Sequence, residues 1–212
     1  MKSKLFNYGG IAAAVILIAF GIGALAMGLS GRDTVRSSIG DEQIVGTPDM
    51  TPTAIAAAAK KAGLKNVDIP SKAVAGETID TGAEAKAFAG YMRIHALEST
   101  GGQVYAEMGR FLDANGKPTS DEAKAAKDPK TGQPVENGLR NLWVTETALS
   151  TALNTSYFAE NVANFAIVMG VALLLTGIGF LVLTLGLVRV PARREAEAEK
   201  AAPTTTAVSV AS

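Results

Sequence analysis

Two long stretches of the chain contain no charged side chain, and they restrict its fold more than any other feature. Residues 5–31 and residues 161–188 hold 27 and 28 consecutive uncharged positions, most of them apolar. A helix needs about 20 apolar residues to cross the roughly 30 Å hydrocarbon core of a bilayer. The sequence therefore predicts two transmembrane helices, at residues 8–30 and 163–188, with the lipid bilayer as a partner.

The first stretch also has features of a signal peptide. Lys2 and Lys4 form a short positive segment, and Ala24-Leu25-Ala26 matches the small-residue pattern of a cleavage site. The apolar region of a signal peptide spans about 7–15 residues, and this run is about twice as long. An uncleaved anchor is favoured, and a cleaved signal is the alternative.

The arginines after the second span predict the orientation of both spans. Arg189, Arg193 and Arg194 follow this span directly, whereas no Lys or Arg lies between Arg140 and its start. Positive residues favour the cytoplasmic side of a span. We therefore expect residues 1–7 and 189–212 in the cytoplasm and residues 31–162 as an extracytoplasmic domain. The cytoplasmic tail 189–212 is expected to form a short helical stub after Arg194 and then to be disordered.

Small residues recur at intervals of seven within each predicted span. A seven-residue period of small side chains is typical of helices that pack closely in lipid with a left-handed crossing. Glycine and alanine are also frequent in membrane helices without any packing role, so the pattern has a chance explanation as well. The residues with a predicted packing role are Ala19, Gly21, Gly28, Gly170, Gly177 and Gly179.

Charge limits the classes of function open to the chain. Neither predicted span holds an ionisable residue, and proton relays and charge-coupled transporters place such residues inside the membrane. Transport by this chain alone is therefore not expected, although an oligomeric passive pore stays as a minor alternative. The formal net charge is zero, with 20 basic and 20 acidic residues, so no nucleic-acid partner is expected.

The segment between the spans is predicted to form a mostly helical domain, giving an all-α membrane protein. A helix starts at Thr51-Pro52, and a capping box of Thr81 and Glu84 opens another. A short helix is predicted at residues 103–113 and a mobile loop at 117–134. From Leu139 a 3–4 apolar spacing continues into the second span, which predicts one continuous helix with Leu142, Glu146, Leu149 and Leu153 facing inward.

Glu146 is the most unusual residue of this inward face, because an unpaired buried carboxylate is costly. Arg93 or His95 is a suitable partner, and His95 is the only histidine of the chain. His95 is predicted on an apolar face beside Phe88 and Met92, which favours a structural imidazole. The functional alternative is a ligand or proton site built from Glu146, His95 and Arg93.

The stretches RNLWVTETALSTALNTSYFAE (residues 140–160) and GRDTVRSSIGDEQIVGTPDM (residues 31–50) resemble a family of uncharacterised bacterial two-span membrane proteins. The resemblance extends over nearly the whole chain up to Val188, and it implies a bacterial plasma-membrane location. Some similar sequences are labelled aromatic ring-opening dioxygenase. Extradiol ring opening needs an iron site, commonly with two His and one carboxylate, which a chain with one His and no Cys does not supply. No metal, cofactor or catalytic residue is predicted.

Two classes of function fit these features. The first is a non-enzymatic structural or interaction protein whose domain docks a protein partner or another copy of itself. The second is an extracytoplasmic ligand-binding or sensor subunit that signals through its second transmembrane helix. An apolar concavity near Glu146 favours the second class, and an exposed apolar patch on a convex domain favours the first.

Overall fold

The structure, a computed structural model, describes residues 2–201 of the chain and the side chains of residues 7–186. This part of the chain contains four α-helices, one pair of short antiparallel strands and two single 3-10 turns. It divides into two compact units, one formed by Met1–Leu29 with Phe165–Ser212 and the other by Ser30–Asn164. The elements in chain order are α1 (Lys2–Asp41), α2 (Pro52–Lys61), α3 (Gly82–Ser99), a 3-10 turn (Tyr105–Glu107), β1 (Phe111–Leu112), β2 (Pro118–Thr119), a second 3-10 turn (Glu122–Lys124) and α4 (Gly138–Ala201).

Helices α1 and α4 are each long and apolar enough to cross a membrane. In the most apolar window of each helix, only 11% of the residues are buried. Large apolar side chains such as Phe20, Met27, Phe165 and Leu175 are instead mostly exposed. This surface is unlike that of a helix from the core of a soluble protein, whose apolar side chains are covered.

Helix α4 continues as one helix to Ala201, which confirms the predicted continuity from Leu139. The helical stub predicted after Arg194 is part of this helix as far as Ala201. The sequence after Pro191 is rich in alanine, glutamate and arginine, residues with high helix propensity. Residues 202–212 lie outside the described part.

In the unit formed by Met1–Leu29 and Phe165–Ser212, α1 and α4 pack antiparallel through small residues. A Cβ atom added to Gly21 would lie 2.9 Å from the carbonyl oxygen of Gly170, and a Cβ added to Gly170 would lie 2.9 Å from that of Gly21. A Cβ on Gly177 would lie 3.0 Å from the carbonyl oxygen of Ala14. These distances are too short for a real side chain, so the two backbones approach closely only because these residues are glycine.

Only some of the small residues with a predicted packing role take part in this contact. Gly28 is buried on the same face of α1 as Gly21. Ala19 is exposed, and a Cβ on Gly179 would meet no atom within 4 Å. The predicted packing role is therefore wrong for Ala19 and Gly179, since seven-residue spacing recurs on every face of a helix and cannot select one.

In the Ser30–Asn164 unit, α3 lies at the centre of the hydrophobic core. Its buried residues include Ala85, Tyr91 and Ile94, which pack with apolar side chains from several other elements. The core residues outside α3 are Ile39, Met50, Ile55, Ala59, Val74, Ile79 and Leu153. Phe88 and Met92, predicted to face inward beside His95, are only partly buried at the edge of this core.

The caps predicted from the sequence are present. The Thr51 hydroxyl accepts a hydrogen bond from the Ala54 N–H, and α2 begins at Pro52. Thr81 and Glu84 form a reciprocal capping box at the start of α3. These caps fix where α2 and α3 begin, because they satisfy N–H groups that have no partner inside the helix.

The short helix predicted at residues 103–113 is wrong. This region contains a single 3-10 turn and then strand β1, which pairs with β2 in the register Phe111 opposite Thr119. A Cβ on Gly109 would overlap the backbone nitrogen of Thr119, so glycine permits this close pairing. The Asp113 carboxylate accepts N–H groups of Asn115 and Lys117 and shapes the turn.

The loop predicted at 117–134 is not a free loop. The Ala126 N–H donates to the Leu112 carbonyl at 2.8 Å, and the Val135 N–H donates to the Ala126 carbonyl at 2.9 Å. The Asp128 carboxylate accepts the N–H groups of Lys130 and Thr131. Backbone hydrogen bonds therefore tie this polar segment to the β1–β2 hairpin, which its composition does not reveal.

The predicted inward face of α4 is confirmed for Glu146 and Leu153, which are buried, but not for its other leucines. Leu139, Leu142 and Leu149 are 41%, 39% and 45% exposed, whereas the Trp143 and Leu153 side chains are buried. The Trp143 indole N–H donates to the Gln103 carbonyl at 3.0 Å. A 3–4 spacing fits more than one face of a helix, and here the tryptophan occupies the core.

Candidate functional site

A groove with a volume of about 720 Å³ lies beside α3 in the Ser30–Asn164 unit, and we call it the α3 groove. It is lined by the extended segment 65–72, by residues 83–97 of α3, and by Asn154 and Tyr157 of α4. Its least exposed part is apolar. This apolar floor consists of Val67, Pro70, Ala87, Ile94, Leu97 and Val104.

Two contacts hold segment 65–72 against α3. A Cβ on Gly90 would lie 2.8 Å from Pro70 Cγ, so the proline ring packs directly on the helix backbone. The hydroxyl of the fully buried Tyr91 donates to the Lys72 carbonyl at 3.0 Å. Burial raises the pKa of Tyr91, which keeps this hydroxyl protonated as a donor.

The α3 groove is rich in positive charge. Four of its lining residues are basic, namely Lys65, Lys72, Lys86 and Arg93, and one, Asp68, is acidic. The segment 32–160 as a whole carries 14 basic and 17 acidic residues, so it is net negative. The lining of the groove is therefore mainly basic, although the segment as a whole has a negative net charge.

These four cations differ in how they are held. Lys72 lies 3.4 Å from the Glu84 carboxylate, and Arg93 lies 4.0 Å from that of Glu146. The Lys86 ammonium lies 4.6 Å from the centre of the Tyr157 ring. Neither Lys65 nor Lys86 forms an ion pair with any side chain between residues 7 and 186, so both are open to a ligand.

Glu84 links the cap of α3 to the groove. Burial raises the pKa of Glu84, but hydrogen bonds with Thr81 and with the Asp80 and Thr81 N–H groups outweigh it and lower the pKa below its usual 4.5. The nearby Lys72 ammonium lowers this pKa further. The carboxylate is therefore charged at neutral pH, and it holds Lys72 beside the groove.

The structure brings Glu146 and Arg93 together but not Glu146 and His95. The Glu146 side chain is 4% exposed and accepts a hydrogen bond from the Ser150 hydroxyl at 2.8 Å. The Arg93 guanidinium also lies 5.2 Å from the Trp143 ring. Arg93 thus belongs both to the α3 groove and to the environment of Glu146.

His95 has other partners than the one predicted. Its Nδ1 lies 3.0 Å from the Glu98 carboxylate and its Nε2 lies 3.3 Å from that of Asp49. His95 and Glu146 nevertheless line the same second cavity of about 230 Å³, together with Met92, Ala96, Ser99, Leu142 and Thr145. An apolar concavity beside Glu146 is therefore present.

Glu160 connects three helices, and we call its contacts the Glu160 clamp. Its side chain belongs to α4 and is 7% exposed. One carboxylate oxygen accepts a hydrogen bond from the Gly82 N–H at the start of α3, at 2.5 Å. The other accepts a hydrogen bond from the Arg36 Nε–H of α1, at 2.6 Å. A charged hydrogen bond of this kind is stronger than a neutral one. The clamp therefore fixes the first turn of α3 between α1 and α4.

Sequence reasoning missed most of the α3 groove. Lys86 and Arg93 are seven residues apart on α3, hence on one face, and the i+3 and i+4 positions after Lys86 are Ala89 and Gly90 rather than acids. That unpaired spacing was a usable signal. Lys65, Lys72 and Tyr157 carry no such local signal, because only the tertiary packing brings them to α3.

Within the described residues, no three His, Asp or Glu side chains gather closely enough to hold a metal ion. Comparisons with protein-family models, with curated proteins and with solved structures find no match to this chain. The case for a function therefore rests on the grooves and charges of the chain itself. The α3 groove is the site that combines volume, an apolar floor and convergent polar groups.

Proposed function

We propose that the chain is a non-enzymatic integral membrane protein whose domain, residues 31–162, binds a small ligand in the α3 groove. Its volume of about 720 Å³ is the observation that carries the proposal, since ligand sites commonly enclose about 300–1,000 Å³ with an apolar lining and few polar groups. In this proposal the chain is an extracytoplasmic binding or sensor subunit.

The membrane location rests on α1 and α4. Each has the length and apolar surface to cross a bilayer, and the arginines at 189, 193 and 194 favour a cytoplasmic end after α4. Both termini then face the cytoplasm and the α3 groove faces the other side of the membrane. The resemblance of residues 31–50 and 140–160 to bacterial two-span proteins supports a bacterial plasma membrane.

The route for a signal follows from the elements that line the groove. Asn154 and Tyr157 of the lining belong to α4, which is one helix from Gly138 to Ala201. A ligand that binds one arrangement of this helix more tightly shifts the equilibrium toward that arrangement, at most by the ratio of its two affinities. A separate cytoplasmic partner would read that shift.

The test is retention of small molecules by the purified full chain. We expect organic extracts of protein purified in detergent to contain a stoichiometric compound, detected by mass spectrometry. Ala83→Trp places a large ring in the groove from an exposed lining position and should abolish retention. Ala148→Trp is the matched control, because Ala148 is exposed on α4 away from the lining. Equal retention by both variants contradicts the proposed site.

A second candidate function is protein interaction, including self-association. It is favoured by the exposed apolar side chains Leu139, Leu142 and Leu149 on α4, which a second copy or another protein would cover. The mass of the detergent-purified chain and its co-purifying proteins test this candidate. A monomer without companions contradicts it and leaves ligand binding unaffected.

A further inference from the structure

From the charge of the α3 groove we infer that its ligand is an organic anion with a flat apolar body. This inference rests on the proposed function and specifies its ligand class. An inorganic anion alone would leave the apolar floor in contact with water, whereas a neutral apolar molecule would leave the lysines without a partner. A molecule with one charged end and one apolar end satisfies both parts of the lining.

The sign of the charge is the first argument. Four basic residues and one acidic residue of the segment 32–160 line the groove. Ten basic and 16 acidic residues remain for the rest of that segment. A positive cleft on a negative domain focuses the potential inside the cleft and concentrates anions there.

The state of the cations is the second argument. Lys72 is held by Glu84 at 3.4 Å, and Arg93 is shared with Glu146 at 4.0 Å. Lys65 and Lys86 have no carboxylate partner among the side chains of residues 7–186. These two ammonium groups are therefore the ones that bind the anionic end, whereas the charges of Lys72 and Arg93 are balanced by Glu84 and Glu146.

The apolar part of the lining determines the body of the ligand. The Tyr157 ring lies in the lining, 4.6 Å from the Lys86 ammonium, and the apolar floor is formed by proline, alanine and branched side chains rather than polar ones. The Lys86 ammonium lies over the Tyr157 ring, so a planar body would lie on the apolar floor while its anionic end binds Lys86. The groove volume of about 720 Å³ accommodates a ligand of the size of a small aromatic acid or sulfonate.

The test compares two fluorescent probes that differ in one charged group. The first probe, 1-anilinonaphthalene-8-sulfonate, carries a sulfonate, and the second, N-phenyl-1-naphthylamine, has the same rings without it. Both are titrated into the full chain in detergent, with protein-free micelles subtracted. We expect the double variant Lys65→Gln, Lys86→Gln to bind the sulfonate about tenfold more weakly, as two lost ion contacts near a surface imply. Its affinity for the neutral probe should stay unchanged.

The control is the double variant Lys127→Gln, Lys130→Gln, which removes the same charge from exposed positions outside the groove. We expect it to bind both probes as the native chain does. Salt provides a second readout, because raising it from about 0.1 M to about 1 M shortens the Debye length from about 10 Å to about 3 Å. That change should weaken sulfonate binding only where Lys65 and Lys86 are present.

The outcomes separate the ligand class from the site itself. If Ala83→Trp blocks both probes but the lysine variant weakens neither, the groove binds ligands and the anionic class is wrong. If Ala83→Trp changes neither probe, the groove is not a ligand site and the proposed function fails with it. Loss of sulfonate binding in the control variant as well would show a general charge effect and overturn the inference. Circular dichroism confirms that each variant is folded.

Discussion

Helices α1 and α4 take part in both units of the molecule, but their contacts differ in chemistry between the two. In the unit of Met1–Leu29 and Phe165–Ser212, glycines 21, 170 and 177 bring backbone against backbone. In the Ser30–Asn164 unit, the same two helices are joined by the charged pair of Arg36 and Glu160 beside a hydrophobic core.

The two contacts are stabilised by different forces. Apolar side chains around the glycine contact are mostly exposed, so burial of apolar surface contributes little there and close van der Waals packing must provide the attraction. The Ser30–Asn164 unit has a true apolar core, and there a buried charge is tolerated because it is fully hydrogen-bonded. Each of these helices is therefore held by backbone packing in one unit and by a hydrogen-bonded ion pair beside an apolar core in the other.

The strongest way to break the glycine contact is Gly177→Leu. A Cβ there would already lie 2.7 Å from Ile18 Cγ1, and a leucine adds three more carbons. We expect a loss of roughly 3 kcal/mol, at the upper end for overpacked sites, seen as a lower thermal midpoint in detergent. Gly179→Leu, two residues further, faces open space and should change little. Equal midpoints for the two variants would remove the packing role.

Removing the Glu160 clamp should have the next largest effect. Glu160→Ala deletes two charged hydrogen bonds, each worth about 1.5–3 kcal/mol, although the half-exposed Arg36 side chain reduces its share. We expect a net loss of about 2 kcal/mol in urea unfolding. Glu160→Gln keeps an acceptor for the Gly82 N–H and should lose about half as much.

The exposed Glu122→Gln is the control for both Glu160 variants, since its side chain makes no hydrogen bond or ion pair among the described residues. If Glu160→Ala is as stable as Glu122→Gln, the clamp is dispensable. The comparison of the two Glu160 variants then separates the contribution of Arg36 from that of Gly82.

The smallest expected effect is a dependence on acid at the cap of α3. The folded state lowers the pKa of Glu84 below 4.5, so the carboxylate adds stability above its unfolded pKa, and this stability is lost as pH falls through the folded pKa. We expect about 1 kcal/mol, as for other helix caps. Midpoints measured between about pH 7 and about pH 3 should fall less steeply for Glu84→Gln, and an unchanged slope would contradict this.

Local signals in the sequence predicted the helix starts well and the helix faces poorly. Thr51 and Thr81 cap helices through residues three positions away, so a short window contains all the information. The face of α4 depends on whether Leu142 or Trp143 meets the core, and both choices satisfy the same spacing. The neighbour that decides it, Gln103, is remote in sequence.

The α3 groove could not be predicted from local sequence patterns for the same reason, because the residues that form it are remote from one another in the sequence. Its wall exists because Pro70 packs on Gly90 and because Tyr91 holds the Lys72 carbonyl. Neither contact leaves a periodic trace in the sequence. The β1–β2 pair is likewise invisible, since strands of two residues are too short to show an alternating pattern.

The place of Leu153 in the core sets the order in which the domain can be completed during synthesis. Leu153 belongs to α4 and packs in one cluster with Ile39 of α1 and with α3, and the Glu160 clamp joins residues 124 positions apart. Contacts between such distant residues form late, because a long loop must close first. The core and the clamp can therefore be completed only after Leu153 and Glu160 have been synthesised, so the final helix is the closing element of a domain that precedes it.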